Sequence, residues 1–121
     1  MLNYLDFDTS DDGEGITTFD AMAYAPAERW NALQAEVEQL LGWCTAQFAL
    51  PGPLELGHQW DLDLQLQSKA GHALAVRWDA QQRSLSAPDA AHCDAVQLSL
   101  TISGNETFAS SLESRFLRDA E

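Results

Sequence analysis

Residues 59–68 alternate without interruption. Trp60, Leu62, Leu64 and Leu66 fall on one side of an extended chain, and Asp61, Asp63, Gln65 and Gln67 fall on the other. A segment with this period is satisfied only as a strand that turns one face to a core and the other to water. Residues 95–103 repeat the pattern, with Val96, Leu98, Leu100 and Ile102 set against Gln97, Ser99 and Thr101. Two one-sided strands require an apolar layer to cover them, which restricts the chain to a sheet packed against something else.

The covering layer is legible as well. Over residues 27–48 the apolar positions Trp30, Leu33, Val37, Leu40, Leu41, Cys44 and Phe48 recur at spacings of three and four, the period of an amphipathic helix. Its other face reads Glu28, Gln34, Glu36, Glu38 and Gln39. Pro26 fits its first turn, and Pro51-Gly52-Pro53 lies beyond its end. Gly42 interrupts it at a cost of about 1 kcal/mol relative to Ala, which suggests a close approach to the sheet at that point. A second helix begins at Asn105, a good N-cap, with Phe108, Leu112 and Phe116 on one stripe.

Residues 2–8 and 16–24 read as a first hairpin around the acidic loop at 9–15. Residues 72–79, with Leu74, Val76 and Trp78 inward, read as the partner of the 59–68 strand, and a short strand follows at 83–86. The expected order is β-β-α-β-β-β-β-α. This is an α+β, two-layer fold in which an antiparallel sheet of five to six strands carries two helices on one face. With 121 residues, 45% hydrophobic, four Trp and five Phe, the chain supports one domain over residues 1–121. All four Trp fall on stripes read as inward-facing.

Charge excludes several functions. Six Lys and Arg against 19 Asp and Glu give a net charge of −13, which disfavours phosphate neutralisation on nucleic acid and docking on an anionic membrane. The imbalance is uneven along the chain. Residues 1–20 carry six acids and no base, residues 21–68 six acids and Arg29, and residues 69–121 seven acids and five bases. The first eight residues lack a signal-peptide pattern, and nothing approaches the roughly 20 apolar residues of a membrane span. Two cysteines, Cys44 and Cys93, are too few for a disulfide framework, so a cytoplasmic protein with reduced thiols is expected.

No catalytic signature stands out. The chain has no G-x-S-x-G, no P-loop and no G-x-G-x-x-G, and Gly13 and Gly15 begin such a pattern without completing it. His58, His72 and His92 lack zinc spacing with either thiol, and Asp89 and Asp94 beside Cys93 disfavour a thiolate nucleophile. The candidates that remain are carboxylates. Asp8, Ser10, Asp12 and Gly13 match the first half of an EF-hand loop, but its twelfth position is Phe19 in place of a bidentate Glu. Asp61 and Asp63 share one strand face with Cα atoms roughly 6.5 to 7 Å apart. Asp8, Asp12, Asp61 and Asp63 are thus the candidate ligands for a divalent cation. Asp11, Asp12, Glu14, Asp61 and Asp63 are the candidate contacts for a basic partner. Should the first hairpin pair in even register, Asp6, Asp8 and Asp20 join the same face.

Asp6-Phe7-Asp8, Thr18-Phe19-Asp20-Ala21-Met22-Ala23, Trp60-Asp61-Leu62-Asp63-Leu64-Gln65 and Thr101-Ile102-Ser103-Gly104 together resemble a family of small acidic proteobacterial proteins with no assigned activity. The resemblance spans nearly the whole chain and implies a single domain; it carries over no functional residue, no catalytic group and no cofactor. Three functions follow as expectations. The first is an acidic binding protein for a basic partner, of the immunity-protein, antitoxin or nucleic-acid-mimic kind. The second is a divalent-cation-dependent module or enzyme built on the clustered Asp residues. The third is a homo-oligomeric accessory protein whose acidity serves solubility.

Overall fold

The computed structural model describes residues 2–117. A hairpin of β1 (Phe7–Asp11) and β2 (Thr17–Pro26) leads through a single 3-10 turn into helix α1 (Trp30–Phe48). Strands β3 (Trp60–Ser68), β4 (Ala73–Leu74), β5 (Arg77–Asp79), β6 (Ser84–Ser86) and β7 (Ala95–Gly104) follow, and α2 (Glu106–Leu112) closes the described chain with a π-helical turn at Glu113–Leu117. Five strands form one antiparallel sheet in the order β1-β2-β7-β3-β4, while β5 and β6 pair separately. Both helices pack on one face of the five-stranded sheet, so the expected α+β, two-layer class holds.

The alternating segments explain this layout. On β7, Val96, Leu98, Leu100 and Ile102 are all buried, and Phe19, Ala21, Ala23 and Ala25 of β2 lie on the same side. Trp60 and Leu66 of β3 complete that face, and Leu33, Val37, Leu40, Leu41 and Cys44 of α1 cover it. Asn105 caps α2 as its residue type predicts, its Oδ1 accepting from the Phe108 N–H at 2.9 Å, and Phe108, Leu112 and Phe116 are buried. Trp30 and Trp60 are core residues, whereas Trp43 and Trp78 are half-buried against its margin.

Four sequence expectations are corrected. Residues 72–79 do not run as one strand beside β3: only Ala73 and Leu74 pair with it, and the chain then leaves to form the β5–β6 hairpin against α1. The reason lies on the helix. Gln34 Nε2 donates to the Leu85 carbonyl at 2.7 Å, Glu38 accepts from the Leu85 N–H at 2.8 Å, and the Trp78 indole donates to Thr45 Oγ1 at 3.2 Å. Burial of Leu85 and these three bonds hold the hairpin on the helix and away from the sheet.

The second correction concerns the helix face read as solvated. Glu36 is only 8% exposed, and its two carboxylate oxygens accept from the backbone N–H groups of Asn3, Tyr4 and Leu5 at 2.6, 2.8 and 2.7 Å. The third is that β1 starts at Phe7 and not at residue 2, because Glu36 holds the segment before it; the strand then extends to Asp11, through part of the expected loop. The fourth is Gly42, where an added Cβ would meet only the Arg83 side chain at 3.9 Å, an ordinary contact, with no sheet backbone near. Gly42→Ala is therefore expected to raise stability by about 0.5 to 1 kcal/mol through helix propensity, measured by urea denaturation. A loss of stability would show that the position is crowded.

Candidate acidic sheet face

The face of the sheet turned away from the helices is built by register. Asp8 of β1 stands opposite Asp20 of β2, Asp20 opposite Thr101 of β7, and Thr101 opposite Asp63 of β3. One cross-strand row therefore carries three carboxylates and a hydroxyl. The adjacent row reads Ser10, Thr18, Ser103 and Asp61, and the row on the other side carries Met22, Ser99 and Gln65. Tyr24, Gln97 and Gln67 form the last row. No Lys, Arg or His occupies any of these outward positions.

Local bonds fix some of these side chains. Thr101 Oγ1 donates to Asp20 Oδ1 at 2.7 Å, and the hydroxyls of Thr18 and Ser103 meet at 3.3 Å. Gln65 Nε2 donates to Asp63 Oδ2 at 3.3 Å, and Asp61 Oδ1 accepts from the Leu62 N–H at 2.8 Å. Asp8 and Asp20 sit directly opposite each other, with Cα atoms about 5.5 Å apart, a like-charge pair that costs stability in an isolated sheet. Asp63 lies two strands from Asp20, roughly 10 Å away. Met22 and Tyr24 are each 61% exposed on this face, two of the four large apolar side chains most open to water.

The other predicted acids go elsewhere. Asp12 Oδ1 accepts from the Glu14 and Ile16 N–H groups at 2.7 and 3.1 Å, and Asp11 Oδ1 accepts from the Gly13 N–H at 2.6 Å. These carboxylates shape the hairpin turn, whose Gly13 and Gly15 have φ of 77° and 93°, a region that favours glycine. Asp11 lies on the helix side of β1, Asp12 and Glu14 at the hairpin tip, and Asp8, Asp61 and Asp63 on the open face. Asp6 precedes β1 and is outside the ladder. Asp20, mentioned at the sequence level only through an assumed register, is the residue that links β1 to the rest of the row.

The remaining candidates are spread out. Among the described residues no three His, Cys, Asp or Glu side chains gather in a way that could hold a metal ion, so Asp8, Asp12, Asp61 and Asp63 do not converge as a ligand set. Cys44 lies in the core, where burial pushes its thiol up to about 12 and removes it as a nucleophile near neutrality. Cys93 is half-exposed, with its Sγ 3.5 Å from the Asp89 carbonyl. No helix among the described residues is long and apolar enough to cross a membrane. Comparison with known proteins finds no matching family model, no matching curated protein and no matching solved structure.

Proposed function

We propose that the chain is an acidic binding protein whose open sheet face meets the basic surface of another protein, as immunity proteins and antitoxins do. The observation that carries this reading is the cross-strand row Asp8–Asp20–Thr101–Asp63, with Asp61 in the next row and no Lys, Arg or His at the outward ladder positions. Strands held by main-chain ladders place these charges at fixed spacings, so little side-chain ordering is needed on binding. The same face exposes Met22 and Tyr24, and an aromatic and a thioether beside a charged row is the mixture found where a desolvated centre meets a polar rim. Complementary charge would set the rate of encounter and the choice of partner, while the apolar pair would supply contact area.

Affinity capture from a host lysate tests this with the wild type and an Asp20→Asn/Asp63→Asn variant side by side. Both sites are on the surface, and the variant is expected to fold at least as well, through reduced self-repulsion. The wild type should retain a basic protein whose binding falls as salt rises, and the variant should retain several-fold less of it. Equal retention by the two proteins, or retention of nothing basic at low salt, would overturn the reading.

A further inference from the structure

We infer that the groove between the β1 edge and α2 accepts an extended basic segment of the partner by strand addition, a step that rests on the partner being cationic. β1 is an edge strand. The Asp12 N–H bonds the Ile16 carbonyl at 3.0 Å, so by the period of an antiparallel ladder Ser10 and Asp8 turn their main-chain groups toward β2. Phe7, Thr9 and Asp11 turn theirs outward. Three residues thus present N–H and C=O groups to an incoming strand.

The floor beside that edge has two parts. One hollow of about 460 Å³ has Leu5, Phe7, Phe116 and Leu117 among its lining, with the polar Asp6 and Thr9 at its border. A neighbouring hollow of about 470 Å³ is lined by Asp11, Glu106 and Glu113 together with Thr17, Ala109 and Ser110. Glu113 borders both. Phe7 and Asp11 are four residues apart on the same side of β1, about 13 Å along the strand. An added strand would place its residues i and i+4 over the two hollows, an apolar side chain in the first and a cationic one in the second. Its alternate side chains would pass Asp8 on the open face. The main chain would supply affinity and the hollows would supply selection.

Charge also decides between occupants. A second copy pairing through the same edge would bring together two segments that each hold six acids and no base within residues 1–20, an arrangement opposed by repulsion. A cationic segment relieves that repulsion.

The test uses the full chain and a fluorescein-labelled peptide, Lys-Ile-Lys-Thr-Lys-Arg-Lys, together with its reversed sequence to cover both strand directions. Anisotropy at low salt should report binding, and hydrogen exchange should slow at the Phe7, Thr9 and Asp11 amides. Thr9→Pro removes one outward N–H without touching the β1–β2 ladder and should weaken binding by about tenfold or more. Glu113→Lys, on the groove wall, should also weaken it if the proline variant fails to fold. The Asp20→Asn/Asp63→Asn variant, which leaves the β1 edge intact, should lose far less affinity for the peptide than Thr9→Pro does. If instead Thr9→Pro and Glu113→Lys bind normally while the face variant loses affinity, the groove proposal falls and the acidic-face reading stands. No binding of either peptide overturns the groove, leaving the capture experiment to decide the other reading. Concentration-dependent protection of the same three amides without peptide would mean a second copy fills the edge, and would overturn the proposal.

Discussion

Replacing Glu36 by alanine is expected to destabilise the fold by about 2 to 4 kcal/mol, a large effect for a glutamate on a helix whose sequence marks it as solvent-facing. Its carboxylate accepts three N–H bonds, from Asn3, Tyr4 and Leu5, all between 2.6 and 2.8 Å. Charge-assisted bonds of this length each contribute roughly 1.5 to 3 kcal/mol, but the three share one anion and do not add. Their loss is also limited, because the freed segment can turn its amides to water. The turn forfeits the burial of Leu5, which is 4% exposed and belongs to the core. Glu36→Gln keeps one acceptor oxygen and aims an amide NH₂ at the remaining donors, so it should fall between wild type and Glu36→Ala. Urea denaturation with hydrogen exchange at Asn3, Tyr4 and Leu5 checks this. A loss below about 1 kcal/mol with those amides still protected would mean that Glu36 does not anchor the segment.

Glu36 also illustrates where the sequence stops being informative. Period-two alternation in residues 59–68 and 95–103 settles which side chains face the core, because one face must be dry. The second strand is as read, while in the first Trp60 and Leu66 are buried and Leu62 and Leu64 only half-buried at the core's margin. Alternation does not say which strand lies beside which. The run Leu74, Val76, Trp78 has the pattern of a partner for β3 and begins as one, but polar groups on α1 draw Trp78 and Leu85 away after Leu74. Helical periodicity has the same limit. It places Gln34, Glu36 and Glu38 off the main apolar stripe without revealing that each binds a backbone group brought from elsewhere in the chain.

The candidate site was half legible for a related reason. Asp61 and Asp63 declare an outward face by themselves, whereas the row they share with Asp20 and Asp8 exists only through two registers and the insertion of β7 between β2 and β3. The helix acids lie on the other side of the sheet from this row. The negative charge of residues 1–68 is therefore divided between two sides of the molecule, and only the strand carboxylates make a common face.

The largest core effect is expected at Phe108. Its ring stacks on Trp60 at 5.6 Å with an interplanar angle of 6°, and meets Phe48 edge-on at 5.1 Å. Beneath it lies Gly104, the last residue of β7, registered against Trp60 on one side and Thr17 on the other. Phe108→Ala should cost about 3 to 5 kcal/mol by emptying this space. Gly104→Ala should cost about 2 to 3 kcal/mol for the opposite reason, since a Cβ there would stand 2.6 Å from Phe108 Cγ and the Trp60 stack blocks the ring's retreat. The two effects have one cause, so they should not add. In the Gly104→Ala/Phe108→Ala protein the new methyl enters the vacated space, and the double variant should be more stable than the two single losses combined predict, by about 1 kcal/mol or more. Additive losses in a denaturation cycle would mean that the glycine is needed for its backbone at the strand end and not for the aromatic ring above it.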